Sequence, residues 1–114
     1  MTSTDVVLGI VGPCASGKTT LVASLRALNY KVRHIAQEHS YVRDMWKQIA
    51  DPDLLIYLDV SFEISTQRTG TSWTRKIFDR QVDRLEHAYK NADLYINTDD
   101  LTPQQVLSIV LDYL

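Results

Sequence analysis

The sequence predicts an α/β fold with three layers, in which a short parallel sheet of about four strands lies between two layers of helices. Short apolar segments alternate along the chain with longer segments whose apolar residues recur at helical spacing. Strands separated by helices form parallel sheets that are covered on both faces. The chain has 114 residues, of which 45% are apolar and 23% charged, an ordinary globular balance. We therefore expect a single domain over residues 1–114.

The first half of the chain is expected to contain strands over residues 6–11 and 31–36 and helices over residues 18–28 and 42–49. Residues 6–11 (VVLGIV) are continuously apolar, which is typical of a buried strand. Residues 31–36 alternate in polarity, which indicates a strand with one covered face nearer the sheet edge. The helix over residues 42–49 has Ser40 as its candidate N-cap and ends at Asp51-Pro52.

The second half is expected to contain strands over residues 54–60 and 94–96, a helical start at residues 61–67 and two longer helices. Residues 69–72 (TGTS) interrupt the first of these helical segments. One continuous helix ending before Asp93 is predicted from a stripe of apolar side chains: Phe78, Val82, Leu85, Tyr89 and Ala92. Thr102, Pro103 and Gln105 form a capping-box pattern that opens the last helix.

Between the first strand and the first helix stands a complete G-x-x-x-x-G-K-[ST] motif, Gly12-Pro13-Cys14-Ala15-Ser16-Gly17-Lys18-Thr19. The two glycines allow backbone angles that turn successive N–H groups toward the inside of one loop, where they can surround an anion. The helix that follows adds its free N–H groups and the positive end of its dipole. Lys18 supplies a positive charge and the Thr19 hydroxyl a ligand for Mg²⁺. The motif therefore predicts a polyphosphate site.

This motif resembles that of the P-loop nucleoside triphosphatase superfamily. Residues 52–60 and 93–103 resemble the lid strand and the final strand of its small nucleoside- and nucleotide-kinases, the thymidylate- and adenylate-kinase-like group. The resemblance implies a P-loop kinase-like fold, binding of ATP and Mg²⁺, and a lid at about residues 61–80. One departure is that residues 37–53 hold a single short helix, where such kinases have an acceptor-binding segment and a further strand.

The resemblance also implies which residues bind the nucleotide: Gly12, Pro13, Cys14, Ala15, Ser16, Gly17, Lys18, Thr19 and Thr20. Lys18 would contact the β- and γ-phosphates. Arg68 and Arg75 would close from the lid on the phosphoryl group in transfer, because positive charge stabilises that transition state. The alternative for the basic residues of this segment is a set of ion pairs along an exposed helix, such as Arg75 with Asp79.

Two carboxylates compete for the remaining roles. Glu38 follows the second strand and is a candidate general base or magnesium partner; the alternative is a solvated loop carboxylate or a charge at a helix N-terminus. Asp59 ends an apolar strand and is a candidate magnesium partner for Thr19; the alternative is a structural cap of the next turn. Cys14 and His39 are interpreted as an incidental loop residue and a plain loop histidine. Trp46 and Trp73 are interpreted as packing residues; of the two, Trp73 is the better candidate for stacking on a base.

The net charge of −2 disfavours a nucleic-acid partner. No apolar segment approaches the ~20 residues that a membrane helix needs, and the N-terminal segment has no basic region typical of a signal peptide. We therefore expect a cytoplasmic protein. The edges of a four-stranded sheet favour a homodimer. The expected function is an ATP-dependent phosphotransferase acting on a small-molecule phosphoacceptor; the alternative is a nucleotide-binding regulatory module without transfer activity.

Overall fold

Four parallel strands form one sheet in the computed structural model, which describes residues 6–70 and 74–114. The strands are β1 (Val7–Val11), β2 (Lys31–His34), β3 (Leu54–Asp59) and β4 (Leu94–Asn97). The helices are α1 (Lys18–Ala27), α2 (Phe62–Thr69), α3 (Arg75–Arg84), α4 (Glu86–Asn91) and α5 (Pro103–Tyr113), with short turns of helix at Gln37–His39 and Trp46–Ala50. Thr71 and Ser72 of the predicted interruption and the stacking candidate Trp73 lie outside the described residues.

The strand order is β2-β1-β3-β4, and every neighbouring pair is parallel. Leu8 pairs with both Val32 and Leu54, so β3 lies directly beside β1. The predicted α/β class and the four-stranded parallel sheet are confirmed. Because the strands are parallel, the loops that follow β1, β2, β3 and β4 all begin at the same sheet edge.

Both faces of the sheet are buried against other elements. Leu8 and Ile10 point to one face, where residues of α1 and α5 such as Leu25 and Val110 complete a core cluster. The opposite face carries a second cluster: Val11, Ile35, Trp46, Leu55, Tyr57, Leu85 and Ala88. Each fully buried aliphatic side chain in these clusters contributes roughly 1.5–3 kcal/mol by its removal from water. This two-sided core is compatible with the predicted three-layer arrangement.

The capping box at the start of α5 is present as predicted. The Thr102 hydroxyl accepts a hydrogen bond from the Gln105 backbone N–H at 3.2 Å, and the Gln105 side chain accepts one from the Thr102 N–H at 2.8 Å. Pro103 occupies the first turn, where its missing N–H removes no helical hydrogen bond. The α5 boundary is therefore set by local sequence.

The prediction of a regular helix over residues 42–49 is wrong. The structure has a single π-helical turn, Trp46–Ala50, without a side-chain N-cap among the described residues. Ser40 instead accepts a hydrogen bond from the Val42 N–H, which makes a local turn. Only Trp46 of this stripe is buried, and the buried Gln37 accepts a hydrogen bond from its N–H. A regular helix has no continuous apolar face to bury here.

The prediction of one continuous helix ending before Asp93 is also wrong, because the helix breaks at Leu85 into α3 and α4. Leu85 is fully buried between the two helices, whereas Val82 and Tyr89 of the same stripe are exposed. Because of the break, the side chains of both Leu85 and Ala88 are buried against the sheet. A single straight helix could not bury both equally deeply. Within the described residues, no helix is both long and apolar enough to cross a bilayer.

Candidate functional site

The loop between β1 and α1 follows an unusual backbone path. This glycine-rich loop (residues 12–19) has φ angles of +154° at Gly12, +68° at Ala15 and +103° at Gly17. A Cβ on Gly12 would lie 2.1 Å from the Leu58 carbonyl oxygen of β3, so Gly12 is required by space as well as by angle. At Gly17 there is open space, and only the backbone angle requires glycine.

The glycine-rich loop ends in a helix start that is open to a ligand. Gly17 is the N-cap of α1 and provides no side-chain hydrogen bond, so the first N–H groups of α1 lack the partner that a capping side chain would supply. Ser61, Thr74 and Thr102 do cap their helices. Anions bind well at such an uncapped N-terminus, because the helix dipole favours negative charge there.

A cavity of about 620 Å³ lies against the glycine-rich loop. Its walls include all but the first of the predicted nucleotide-binding residues: Pro13, Cys14, Ala15, Ser16, Gly17, Lys18, Thr19 and Thr20. The remaining walls come from Leu21 of α1, from the ends of strands and from the elements after them: His34, Glu38, Arg68, Thr69, Thr98, Leu101, Pro103 and Val106. We call it the loop cavity. The fold thus brings the motif together with residues distant in sequence.

Lys18 and Glu38 form a buried ion pair in the wall of the loop cavity. Lys18 is 6% exposed and Glu38 is 4% exposed, so Glu38 is not the solvated loop carboxylate of the alternative interpretation. The Lys18 ammonium group also donates to the Gly12 carbonyl at 2.5 Å. Glu38 Oε2 receives the lysine, whereas Glu38 Oε1 is buried without a hydrogen-bond partner among the described residues, as is Ser16 Oγ. Such orphaned oxygens are costly unless a ligand or water satisfies them.

Arg68 reaches the glycine-rich loop from α2. Its guanidinium group donates to the Ala15 carbonyl at 2.9 Å and to the hydroxyl and carbonyl oxygens of Thr98 at 3.0 and 2.5 Å. The Thr98 hydroxyl also lies 2.9 Å from the Ser16 carbonyl. Arg68 therefore holds the loop, α2 and the end of β4 together at the cavity.

Arg75 is placed elsewhere. Its guanidinium lies 3.6 Å from Glu63 and 3.4 Å from Asp79, and it stands over the Phe62 ring at 5.4 Å from the centroid. It is exposed and does not line the loop cavity. The structure thus places Arg75 in the ion-pair arrangement that was the alternative to a catalytic role.

Asp59 is likewise not brought to the glycine-rich loop. Its carboxylate accepts hydrogen bonds from the Val60 N–H at 2.9 Å and from the Tyr95 hydroxyl at 2.5 Å. It lines a second hollow together with Tyr57 and Tyr89 on the opposite side of β3 from α1 and α5. Thr19 lines the loop cavity. The carboxylate that shares this cavity with Thr19 is therefore Glu38, and Asp59 has the geometry of the structural cap.

His34, at the end of β2, is part of the wall of the loop cavity. Burial and the positive charge of Lys18 lower the pKa of His34 below its ordinary value of 6.5, and the negative charge of Glu38 partly opposes them. The fold therefore favours the neutral imidazole beside the Lys18–Glu38 pair, and the His34 pKa responds to any change in that pair's charge.

Sequence reasoning missed Gln81 and Thr98. Gln81 is 4% exposed on α3 and accepts a hydrogen bond from the Cys14 N–H at 3.0 Å. Gln81 could have been recognised in the sequence as a polar residue on the helix face that Phe78 and Leu85 mark as buried. Thr98 directly follows β4, at the same sheet edge as the glycine-rich loop, and that position was its signal. Sequence reasoning also missed the proximity of Cys14 to His39, whose Sγ and Nε2 atoms lie 3.6 Å apart.

No protein-family model matches the sequence, and no curated protein sequence matches it significantly. Function is therefore inferred from the geometry and chemistry of the loop cavity.

Proposed function

We propose that this protein binds the triphosphate of Mg·ATP in the glycine-rich loop and transfers the γ-phosphate to a nucleoside, nucleotide or other small hydroxy acceptor. In fold and chemistry it would be a small P-loop kinase. The observation that carries the proposal is the path of residues 12–19. Positive φ angles at Gly12, Ala15 and Gly17 lead into an uncapped helix beside a cavity, with the Lys18 ammonium held at the Gly12 carbonyl. This is the arrangement that surrounds a polyanion with amides and one charge.

Lys18 changes its partner in this proposal. In the free protein its charge is balanced by Glu38. A triphosphate in the loop cavity offers a larger negative charge, so Lys18 turns to the phosphate oxygens and Glu38 loses its counter-ion. A buried carboxylate without a partner then favours a proton or a cation. Glu38 thereby becomes able to accept the proton of an acceptor hydroxyl when the nucleotide is bound.

The oxygen donors at this position suit magnesium. The Thr19 hydroxyl lines the cavity, and Glu38 Oε1 is a buried carboxylate oxygen without a partner among the described residues. Hydroxyl and carboxylate oxygens are the ligands that Mg²⁺ takes in proteins, together with phosphate oxygens and water. Bound there, the ion would neutralise charge on the phosphates. Thr19 and Glu38, rather than Asp59, would hold it, and Glu38 would then be a magnesium ligand instead of the proton acceptor.

Arg68 supplies the second positive charge. Its guanidinium lies at the cavity wall within hydrogen-bond distance of Ala15 and Thr98. These partners are neutral, so exchanging one of them for a phosphate oxygen gains a charge-assisted hydrogen bond. Arg68 would then stabilise the charge that spreads over the phosphoryl group during transfer.

A second candidate function is a nucleotide-binding regulatory module without transfer activity. It is favoured by the connection between β2 and β3. That segment contains short helical turns at Gln37–His39 and Trp46–Ala50 and no strand, so there is little chain to build an acceptor site. Both candidates share the triphosphate site and differ in turnover.

Calorimetric titration with ATP and GTP, with and without Mg²⁺, tests the shared site. We expect Lys18→Ala to weaken ATP binding by about tenfold to a hundredfold, since a hydrogen bond to a charged group contributes roughly 1.5–3 kcal/mol. Lys90→Ala is the matched control, because Lys90 is an exposed lysine of α4 paired only loosely with Glu86 at 4.0 Å. Unchanged ATP binding by Lys18→Ala would exclude both functions.

Measurement of ADP release against nucleosides, nucleotides and small hydroxy compounds separates the two candidates. Under the kinase proposal, Glu38→Gln keeps ATP binding in the absence of Mg²⁺ and loses most of the transfer rate. Binding without turnover on any acceptor would exclude the kinase and favour the regulatory module.

A further inference from the structure

Three potential metal ligands meet beside the glycine-rich loop. Cys14 Sγ, a Glu38 carboxylate oxygen and His39 Nε2 all lie within 4.8 Å of one another. The Sγ–Nε2 distance is 3.6 Å and the Nε2–Oε2 distance is 3.8 Å. Cys14 comes from the loop after β1, and Glu38 and His39 come from the helical turn after β2. The parallel sheet places both at its carboxyl edge.

The spacing of these atoms fits one tetrahedral ion. With Zn–N, Zn–O and Zn–S bonds of about 2.0–2.3 Å, donor atoms of a tetrahedral zinc site lie roughly 3.3–3.8 Å apart. The two measured distances fall in that range. The thiol and the carboxylate oxygen also lie within 4.8 Å of each other, and both groups end side chains with rotatable bonds.

An independent observation points to a missing cation. Glu38 is 4% exposed, and its carboxylate faces the His39 imidazole. Oε2 of this carboxylate receives the Lys18 ammonium, but Oε1 has no hydrogen-bond partner among the described residues. A buried carboxylate oxygen without a donor is unfavourable, and a metal ion that binds this carboxylate through Oε1 satisfies it while Oε2 keeps Lys18.

We propose that Cys14, Glu38 and His39 form a binding site for a single zinc-class divalent ion, with Lys18 as a built-in competitor for Glu38. The thiolate and imidazole favour zinc, cobalt or a similar ion over magnesium or calcium, which prefer oxygen ligands. Three protein ligands leave the fourth position open toward the loop cavity, which Cys14 and Glu38 both line.

The neighbours of the three ligands support the site and also regulate it. The Gln81 side-chain amide lies 3.3 Å from Cys14 Sγ and can donate to a thiolate, as outer partners of metal ligands do. Lys18 opposes metal binding, because its charge already neutralises Glu38 and repels a second cation. The structure thus predicts that removing Lys18 strengthens metal binding.

This metal site does not rest on the proposed function, but the two would share Glu38. A zinc-class ion would take the carboxylate that the kinase proposal assigns to magnesium or to the acceptor proton. Lys18→Ala therefore has opposite expected effects in the two proposals: weaker triphosphate binding and tighter metal binding.

The test is titration of the reduced, chelator-treated protein with Co²⁺ alone, followed by absorbance. We expect one ion per chain, a thiolate-to-cobalt band, the visible bands of a tetrahedral site, and displacement by Zn²⁺. Cys14→Ser and His39→Gln should each weaken Co²⁺ binding by at least about tenfold. His87→Gln is the control, since His87 on α4 accepts a hydrogen bond from Trp46 Nε1 and is not among the residues that line the loop cavity. Lys18→Ala should tighten binding about tenfold, the effect of roughly 1.4 kcal/mol.

Circular dichroism of each variant shows that it remains folded. A spectrum without the thiolate band would overturn the proposal, as would Co²⁺ affinities that Cys14→Ser or His39→Gln leave unchanged. Equal weakening by His87→Gln would mean that Co²⁺ binding depends on histidines outside the cluster, and it would also overturn the proposal. Unchanged Co²⁺ affinity in Lys18→Ala would refute the competition for Glu38.

Discussion

Lys18 and Glu38 carry opposite charges in a place where neither is solvated. Removing water from two charges costs several kcal/mol for each, and their attraction offsets this only when the geometry is good and other hydrogen bonds are made. Here Lys18 has the Gly12 carbonyl as a second partner, but one carboxylate oxygen has none among the described residues. A pair that is incompletely satisfied in the free protein is prepared to exchange partners when a ligand arrives.

The pKa of His34 reports on that exchange. In the free protein, burial and the Lys18 charge lower it below 6.5, so the folded state disfavours the protonated form. Below pH 6.5 the unfolded chain binds a proton at His34 more readily than the folded protein does. The free energy of unfolding is therefore unaffected by His34 above pH 6.5 and decreases as the pH falls below it. A polyphosphate beside Lys18 brings negative charge, so we expect ligand binding to raise the His34 pKa.

An NMR titration of the imidazole resonances, with and without inorganic triphosphate, measures this shift. His34→Gln identifies the resonance and is expected to make the free energy of unfolding less dependent on pH below 6.5. An identical His34 pKa in both titrations would contradict binding of the polyphosphate in the loop cavity.

Tyr95 gives a second pH prediction. Burial first, and then its hydrogen bond to Asp59, raise the pKa of Tyr95 to about 12. A raised pKa means that the folded state favours the neutral phenol. The resulting stability is complete below pH 10 and is lost as the pH rises toward 12. Ultraviolet absorbance should show one fewer late-ionising tyrosine in Tyr95→Phe, and an unaltered titration curve would contradict the assignment.

At the level of elements, the glycine-rich loop depends on its two glycines for different reasons. Gly17→Ala meets no atoms and strains only the backbone, which costs roughly 1–2 kcal/mol. Gly12→Ala also places a Cβ 2.1 Å from the Leu58 carbonyl, so we expect it to destabilise the protein more than Gly17→Ala does. Urea unfolding of the two variants measures the difference. Equal losses would mean that β3 does not constrain the loop.

The capping box stabilises the start of α5 through hydrogen bonds between neighbouring residues. Thr102→Ala removes the hydroxyl that accepts from the Gln105 N–H, and we expect it to lower the free energy of unfolding by about 1 kcal/mol. Ser108→Ala is the matched control, because Ser108 is exposed in the middle of the same helix. It should change stability little, since alanine is the better helix former. Chemical denaturation of the two variants compares their free energies of unfolding. Equal decreases in Thr102→Ala and Ser108→Ala would contradict a stabilising cap.

At the scale of the whole molecule, the sheet is stabilised by two hydrophobic cores, one on each face. Each core is formed by side chains of the sheet together with side chains of the elements that cover that face. Leu58 is fully buried on the face covered by α1 and α5. We expect Leu58→Ala to cost about 2–5 kcal/mol, because it removes apolar contacts and leaves a cavity. Ile49→Ala, at a side chain that is 77% exposed, should change stability by less than about 0.5 kcal/mol. The two denaturation midpoints test this, and a small effect at Leu58 would contradict the core.

Local patterns were sufficient for the fold class and for the glycine-rich loop, but not for every helix. The buried strand at Val7–Val11, the helix after Lys18 and the Thr102 cap each depend on neighbours within a few residues, so periodicity and spacing predicted them. The break at Leu85 and the π turn at Trp46 depend on which side chains reach the sheet. No local pattern contains that information.

The same division applies to the candidate site. Residue types and spacing alone established the glycine-rich loop with Lys18 and Thr19, because a loop that surrounds an anion needs them at fixed offsets within one short segment. Only the folded chain decided which distant groups face that loop: Glu38, Arg68 and Thr98 do, while Asp59 and Arg75 do not. The reason is that strand order and helix rotation determine these proximities, and both follow from the packing of the entire core.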